Sequence, residues 1–223
     1  MKTVLVSLTY LIGIGELFLA MYFWATNSKN EIRRVMAALA LTTGTWVILG
    51  ALLAYHIPSN VTTYYLAGTY TLGVFVVTLV FHLAVLYPNL VFRFDFFHRI
   101  LLYVPALIFS FASLTSSAIV SGFSSSSQEV GTVAGGPAYV VYNLYLTLLF
   151  LASLGIIRYK IGRSDGINRK NLKLVLVSIF LGGLPSVLID LVFPLLGIQV
   201  NYLLGVISTL FWLGFTSYII LKK

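Results

Sequence analysis

The chain has 223 residues, of which 59% are hydrophobic and only 9% charged, with a net charge of +8 and no cysteine. A soluble domain carries about a quarter charged residues, so this composition excludes an ordinary soluble enzyme. The missing cysteines exclude disulfides, thiolate metal sites and a cysteine nucleophile. The positive balance does not point to nucleic acid, because the charges lie beside the ends of apolar runs and form no aromatic-interleaved soluble surface.

Seven apolar runs follow one another, at about 3–26, 35–56, 62–87, 98–120, 137–157, 173–196 and 200–221. A hydrocarbon core about 30 Å thick takes about 20 apolar residues per helical crossing, so each run is long enough to span. The reading is an all-α integral membrane protein, a single seven-transmembrane-helix bundle over 1–223 in the cell membrane. Thirteen of the fourteen Lys and Arg fall after runs one, three, five and seven, and only Lys2 lies on the other side. Cytoplasmic loops hold the positive charge, which predicts the N-terminus outside and the C-terminus cytoplasmic. The first run is too long for a signal-peptide core and is read as a retained span.

Run one leads into the inside loop Asn27–Arg34, and run two into an outside turn at His56–Asn60 without Lys or Arg. The inside segment Pro88–Arg99 contains Phe92, Phe94, Phe96 and Phe97, which suit the headgroup boundary or ordinary helix ends. Gly122–Gly136 is the longest outside loop; its serines and glycines predict a flexible connector, or a lid over an outer pocket. The loop Arg158–Lys173 is expected to present Arg158, Lys160, Arg163, Arg169, Lys170 and Lys173 as a cytoplasmic basic surface. That surface would meet anionic lipids and, secondarily, a signalling partner. Ser164 or Asp165 is placed to cap an extension of helix six.

Ionisable groups inside a bilayer are costly and mark candidate sites. The spans hold three: Glu16 near the middle of helix one, His82 in the inner part of helix three, and Asp190 in the outer half of helix six. No Lys or Arg is expected at the same depth, so the carboxylates must bond to Tyr or Ser or meet a cation from outside. The plainer alternative is interhelical hydrogen bonding. Ser178, Gly182, Ser186 and Asp190 form an i, i+4 stripe of small residues on helix six, and Pro185 and Pro194 predict kinks there. Tyr70 on helix three and Tyr142 and Asn143 on helix five complete the candidate ligand-binding set of Glu16, Asp190, Tyr70, Tyr142, Asn143 and His82. Tyr is also common at membrane interfaces without any such role.

Helix seven has no Lys for a retinal Schiff base, and the inner ends of helices three and seven lack G-protein-coupled receptor signatures. No zinc-protease motif occurs, and no cofactor or metal is expected.

The run Phe81-His82-Leu83-Ala84-Val85-Leu86-Tyr87-Pro88 resembles the aromatic-His-x-x-x-x-aromatic-Pro ending of helix three in the seven-helix N-terminal sensor regions of bacterial and archaeal histidine kinases. The seven-span layout, the glycine-bearing loop before helix five and the basic loop before helix six are similar too. The resemblance implies reception of a signal in the bundle and its relay through helix seven to a cytoplasmic output domain. The sequence stops at Lys223 before any kinase module, and is expected to be a stand-alone sensor, a membrane subunit, or a piece of a longer protein. A non-enzymatic sensor binding a small, partly apolar molecule is therefore the leading expectation. A proton- or cation-coupled transporter or channel and a structural subunit of a larger complex are the alternatives.

Overall fold

A computed structural model describes residues 2–54, 59–90, 94–125, 131–188, 208–209, 213–214 and 216–220. In chain order they form α1 (Lys2–Asn27), α2 (Glu31–Ala54), α3 (Ser59–Leu86), α4 (Phe96–Thr115), β1 (Val120–Ser125), β2 (Gly131–Gly135), α5 (Tyr139–Gly162) and α6 (Gly166–Val187). Residues 208–209, 213–214 and 216–220 are helical and belong to the last span. Each of the six complete helices is long and apolar enough to cross a membrane.

Lipid offers no water to backbone amides, so only continuous helices satisfy them within the span. Side-chain hydroxyls follow the same rule. Thr9, Thr42, Thr78, Ser110, Ser153 and Ser178 each donate to the carbonyl four residues earlier on their own helix. These groups are satisfied locally and require no neighbour. The helix starts are marked by short polar side chains. Asn30 Oδ1 accepts from Arg33 N at 3.3 Å at the start of α2, and Asp95 Oδ1 accepts from His98 N at 3.2 Å at the start of α4.

Apolar side chains on the outer faces are exposed rather than buried: Leu11 and Phe18 on α1, Leu107 and Phe111 on α4, Leu148 and Leu151 on α5. In a bilayer these faces meet acyl chains. The buried core runs along α3, with Val74 and Leu83 packed among α2, α4 and α5. α1 packs on α2 at two glycines. A Cβ at Gly13 would fall 2.7 Å from Ile48 Cγ1, and one at Gly44 would fall 2.9 Å from the Gly13 carbonyl oxygen. Backbones approach this closely in membranes only where side chains are small.

Three local outcomes differ from the sequence reading. The segment read as a plain flexible loop contains an antiparallel hairpin, Val120 pairing with Gly135 and Phe123 with Val133. Ile119 beneath it is fully buried. At Gly136 a Cβ would lie 2.1 Å from the Ser117 oxygen, so only glycine lets the returning strand pass there. α4 correspondingly ends at Thr115 rather than near 120. α5 continues to Gly162 and α6 begins at Gly166, both beyond the apolar runs. Asp165 is the N-cap residue of α6 but makes no side-chain cap bond, and Gly166 turns the chain with φ of 54°. That left-handed conformation favours glycine and joins α5 to α6 in a short reversal.

Candidate functional site

A cavity of about 80 Å³ lies between α2, α3, α5, α6 and the last span, lined among the described residues by Trp46, Gly73, Val76, Val77, Val80, Leu146, Phe150, Ile179, Gly183, Ser186, Val187 and Thr209. The spacing explains how these residues meet. Gly73, Val76, Val77 and Val80 are one face of α3; Leu146 and Phe150 are one turn apart on α5; Ile179, Gly183 and Ser186 share a face of α6. Two of the wall positions are glycines. A Cβ at Gly183 would fall 2.6 Å from Phe150 Cε2, so the aromatic ring rests directly on the α6 backbone. A Cβ at Gly73 would stand 3.4 Å from the Tyr142 hydroxyl.

Among the described residues the lining is apolar apart from Ser186 and Thr209, and both hydroxyls belong to wider networks. Ser186 Oγ is 2.7 Å from Ser208 Oγ, and Ser208 Oγ donates to the Gly182 carbonyl at 2.6 Å. The small-residue stripe of α6 therefore receives the last helix at Gly182. Thr209 Oγ1 donates to Glu16 Oε1 at 2.9 Å. Glu16 is 3% exposed, and its second oxygen, Oε2, has no hydrogen-bond partner among the described residues. A carboxyl group thus stands immediately behind the cavity wall, joined to it by one hydroxyl.

The other expected site residues are distributed over two further groups. Tyr70, Tyr139 and Tyr142 stack toward the hairpin end, with Tyr70 and Tyr142 ring centroids 5.5 Å apart and Tyr142 Oη donating to the Tyr70 carbonyl at 2.5 Å. Phe109 packs edge-on to Tyr142 at 5.5 Å. Asn143, next along α5, is fully buried, and neither its Oδ1 nor its Nδ2 has a partner among the described residues. Asp190 lies outside the described residues.

His82 is in a separate group at the basic end of the bundle. Its Nδ1 is 2.8 Å from Tyr103 Oη, and its Nε2 is 3.8 Å from Glu31 Oε1. Glu31 in turn pairs with Arg99 at 2.8 Å, and the Phe94 ring lies 5.0 Å from the imidazole. The first turns of α2 and α4 and the last turns of α3 are tied together here. Of the four phenylalanines in this segment, Phe94 is buried beneath the network, Phe96 and Phe97 are exposed, and Phe92 is outside the described residues. Asp95 pairs with His98 at 2.6 Å, and that hydrogen bond holds its carboxyl below the ordinary aspartate value.

Arg158, Arg163, Arg169, Lys170 and Lys173 are exposed, in keeping with a basic surface at this end. Lys160 is not part of it. Its side chain is 6% exposed and its Nζ donates to the carbonyls of Val85 and Tyr87, each at 2.7 Å. It closes the C-terminus of α3, where carbonyls otherwise lack partners and the helix dipole favours a cation. Pro88 cannot continue the ladder, which leaves those carbonyls to a side chain.

Sequence reasoning missed Thr209, Gly73 and Gly183, which shape the cavity. The only signal for them was the helical spacing of small residues, shared by every tightly packed membrane helix.

Among family models, that of the N-terminal 7TM region of histidine kinase matches residues 8–222. No curated protein matches the sequence. The matched stretch takes in α1 from residue 8 onward, the five helices α2 to α6, the last span and the His82–Pro88 ending of α3. The chain is therefore a multi-pass membrane protein with a general role in membrane sensing, and it belongs to the family of N-terminal seven-transmembrane regions of histidine kinases.

Proposed function

We propose that the bundle is a non-enzymatic receptor in which a small molecule entering the cavity between α2, α3, α5 and α6 shifts the packing of α3, α6 and the last helix. The basic end faces the cytoplasm, and its exposed Arg and Lys side chains meet anionic lipid and a signalling partner that reads the shift. The observation supporting this reading is that the cavity is bounded by α2, α3, α5, α6 and Thr209 at once. A molecule placed there touches every element whose relative position a relay must change. A ligand acts only through differential affinity for two arrangements, and a cavity shared by five elements supplies surfaces that can differ between them.

The test is a thermal-shift ligand screen on the native chain and on Val77→Phe protein, whose ring occupies the cavity. A compound at a hundredfold its Kd stabilises by about 2.7 kcal/mol, and that gain should disappear in the filled variant. Hits that stabilise both proteins equally would reject the cavity as the receptor site.

The Oε2 of Glu16, without a partner among the described residues, favours a second reading, in which the carboxyl handles a proton or cation in transport. Flux into proteoliposomes that is lost in Glu16→Gln protein would establish it over the first.

A further inference from the structure

We infer that the cavity takes a compact cyclic or primary amide, and that Asn143 recognises it through paired hydrogen bonds, its Nδ2 donating to the ligand carbonyl and its Oδ1 accepting the ligand N–H. The inference rests on the receptor reading above and names the chemistry of the occupant.

The polar group comes first. Asn143 is fully buried, and neither Oδ1 nor Nδ2 has a hydrogen-bond partner among the described residues. A carboxamide carries two donor protons and two acceptor lone pairs, and burying such a group with its bonds unmade is costly. Other polar groups on α5 are satisfied: Ser153 Oγ donates to the Leu149 carbonyl at 2.8 Å, and Tyr142 Oη donates to the Tyr70 carbonyl. Asparagine is also a poorer helix former than leucine. A leucine of similar size would meet the same neighbours without either penalty, so packing alone does not account for the amide.

Its position supplies the use. Asn143, Leu146 and Phe150 follow one another on one buried face of α5 at i, i+3 and i+7, and Leu146 and Phe150 line the cavity. Helical side chains lean toward the N-terminus, so Leu146 reaches back over the turn that carries Asn143. α3 meets the cavity at the same level: Gly73 is part of the wall, and a Cβ there would stand 3.4 Å from the hydroxyl of Tyr142, the residue before Asn143. At about 10–15 Å³ for each water-sized group, 80 Å³ holds about six to eight non-hydrogen atoms, the size of one small ring. Such a ring packs on Val76, Val77 and Phe150 and turns a polar edge toward Asn143. A cyclic amide presents N–H and C=O side by side on that edge, and these match the C=O and N–H of the asparagine side chain in two parallel bonds. A ketone makes only one of the two.

The experiment uses the full chain in lipid nanodiscs, with δ-valerolactam and cyclohexanone as probes; the two rings are nearly the same size and differ by an N–H in place of a methylene. Saturation-transfer NMR titrations give the affinities, and signal that persists in Val77→Phe protein measures partition into lipid and is subtracted. The lactam should bind about tenfold more tightly than the ketone, as one further good hydrogen bond provides. In Asn143→Leu protein that preference should vanish or reverse. A second readout needs no probe: with two stranded polar atoms removed at nearly constant volume, the thermal midpoint of Asn143→Leu protein should rise by about 4 °C or more. Equal affinities in the parent, or a lactam preference that survives in Asn143→Leu, would overturn the inference and leave the receptor reading standing. So would a midpoint that stays level or falls, because packing or ordered water would then already satisfy the amide. Saturable binding of neither probe would overturn it too, and the receptor reading would then be decided by the Val77→Phe screen alone.

Discussion

Replacing Lys160 by methionine keeps the aliphatic stem and removes the ammonium that closes α3. The magnitude follows from what the head group does. It makes two hydrogen bonds of 2.7 Å, to Val85 and Tyr87 carbonyls, from a position 6% exposed. Charge-assisted bonds contribute about 1.5–3 kcal/mol each, partly offset by desolvation of the ammonium. Their loss also strands two carbonyls at the dipole-negative end of a helix that ends at Leu86, just before Pro88. The net cost should be about 3–5 kcal/mol. For a chain of this length about 2–4 °C is lost per kcal/mol, so the thermal midpoint should fall by about 6–20 °C. Lys170→Met, at an exposed position on the same loop, should change it by about 2 °C or less. Circular dichroism melts of both variants in one detergent provide the comparison. Equal midpoints for Lys160→Met and Lys170→Met would refute the cap and return Lys160 to the basic surface.

Two further outcomes follow from the same geometry. Gly44→Val forces side-chain atoms into the Gly13 carbonyl 2.9 Å away and should destabilise by about 1–3 kcal/mol, whereas Gly15→Ala meets nothing within 4 Å and should be neutral or slightly stabilising; similar melts for the two would deny the close crossing of α1 and α2. Asp95 has its carboxyl lowered by His98, so its contribution to the start of α4 is complete above the ordinary aspartate value of 3.8 and disappears as pH falls through the lower folded value. Protection of the first-turn amides of α4 against exchange, relative to their intrinsic rates, should accordingly fall on acidification in the native chain and stay constant across that window in Asp95→Asn protein; matching protection profiles would remove the interaction.

Much of the architecture was readable because a bilayer imposes one-dimensional rules. Apolar length gave the crossings, and charge asymmetry gave the common end to which Arg99, Arg158 and Arg169 belong. The position of Glu16 within the first span was legible, but not its partner on the last helix. What could not be read were features created between helices. Lys160 looks like its neighbours in sequence, and only the continuation of α5 to Gly162, beside the end of α3, turns it inward. The hairpin after α4 has a composition that also suits a plain loop, so strand pairing had no local signature. The cavity is a gap whose walls are assembled from five elements, and a linear pattern records which residues are small but not which spaces stay unfilled. Thr209 carried no signal because a hydroxyl in a membrane helix is normally satisfied by its own backbone, as at Thr78 and Ser178.

The bond between Glu16 and Thr209 joins residues 193 positions apart. A polypeptide inserted from its N-terminus delivers the carboxyl to the bilayer with the first helix and its hydroxyl partner only with the last. Until the last span has been made, then, the acid must wait in the membrane without that contact. Closure of the ring of helices becomes a late event, and the contact is well suited to report that assembly is finished.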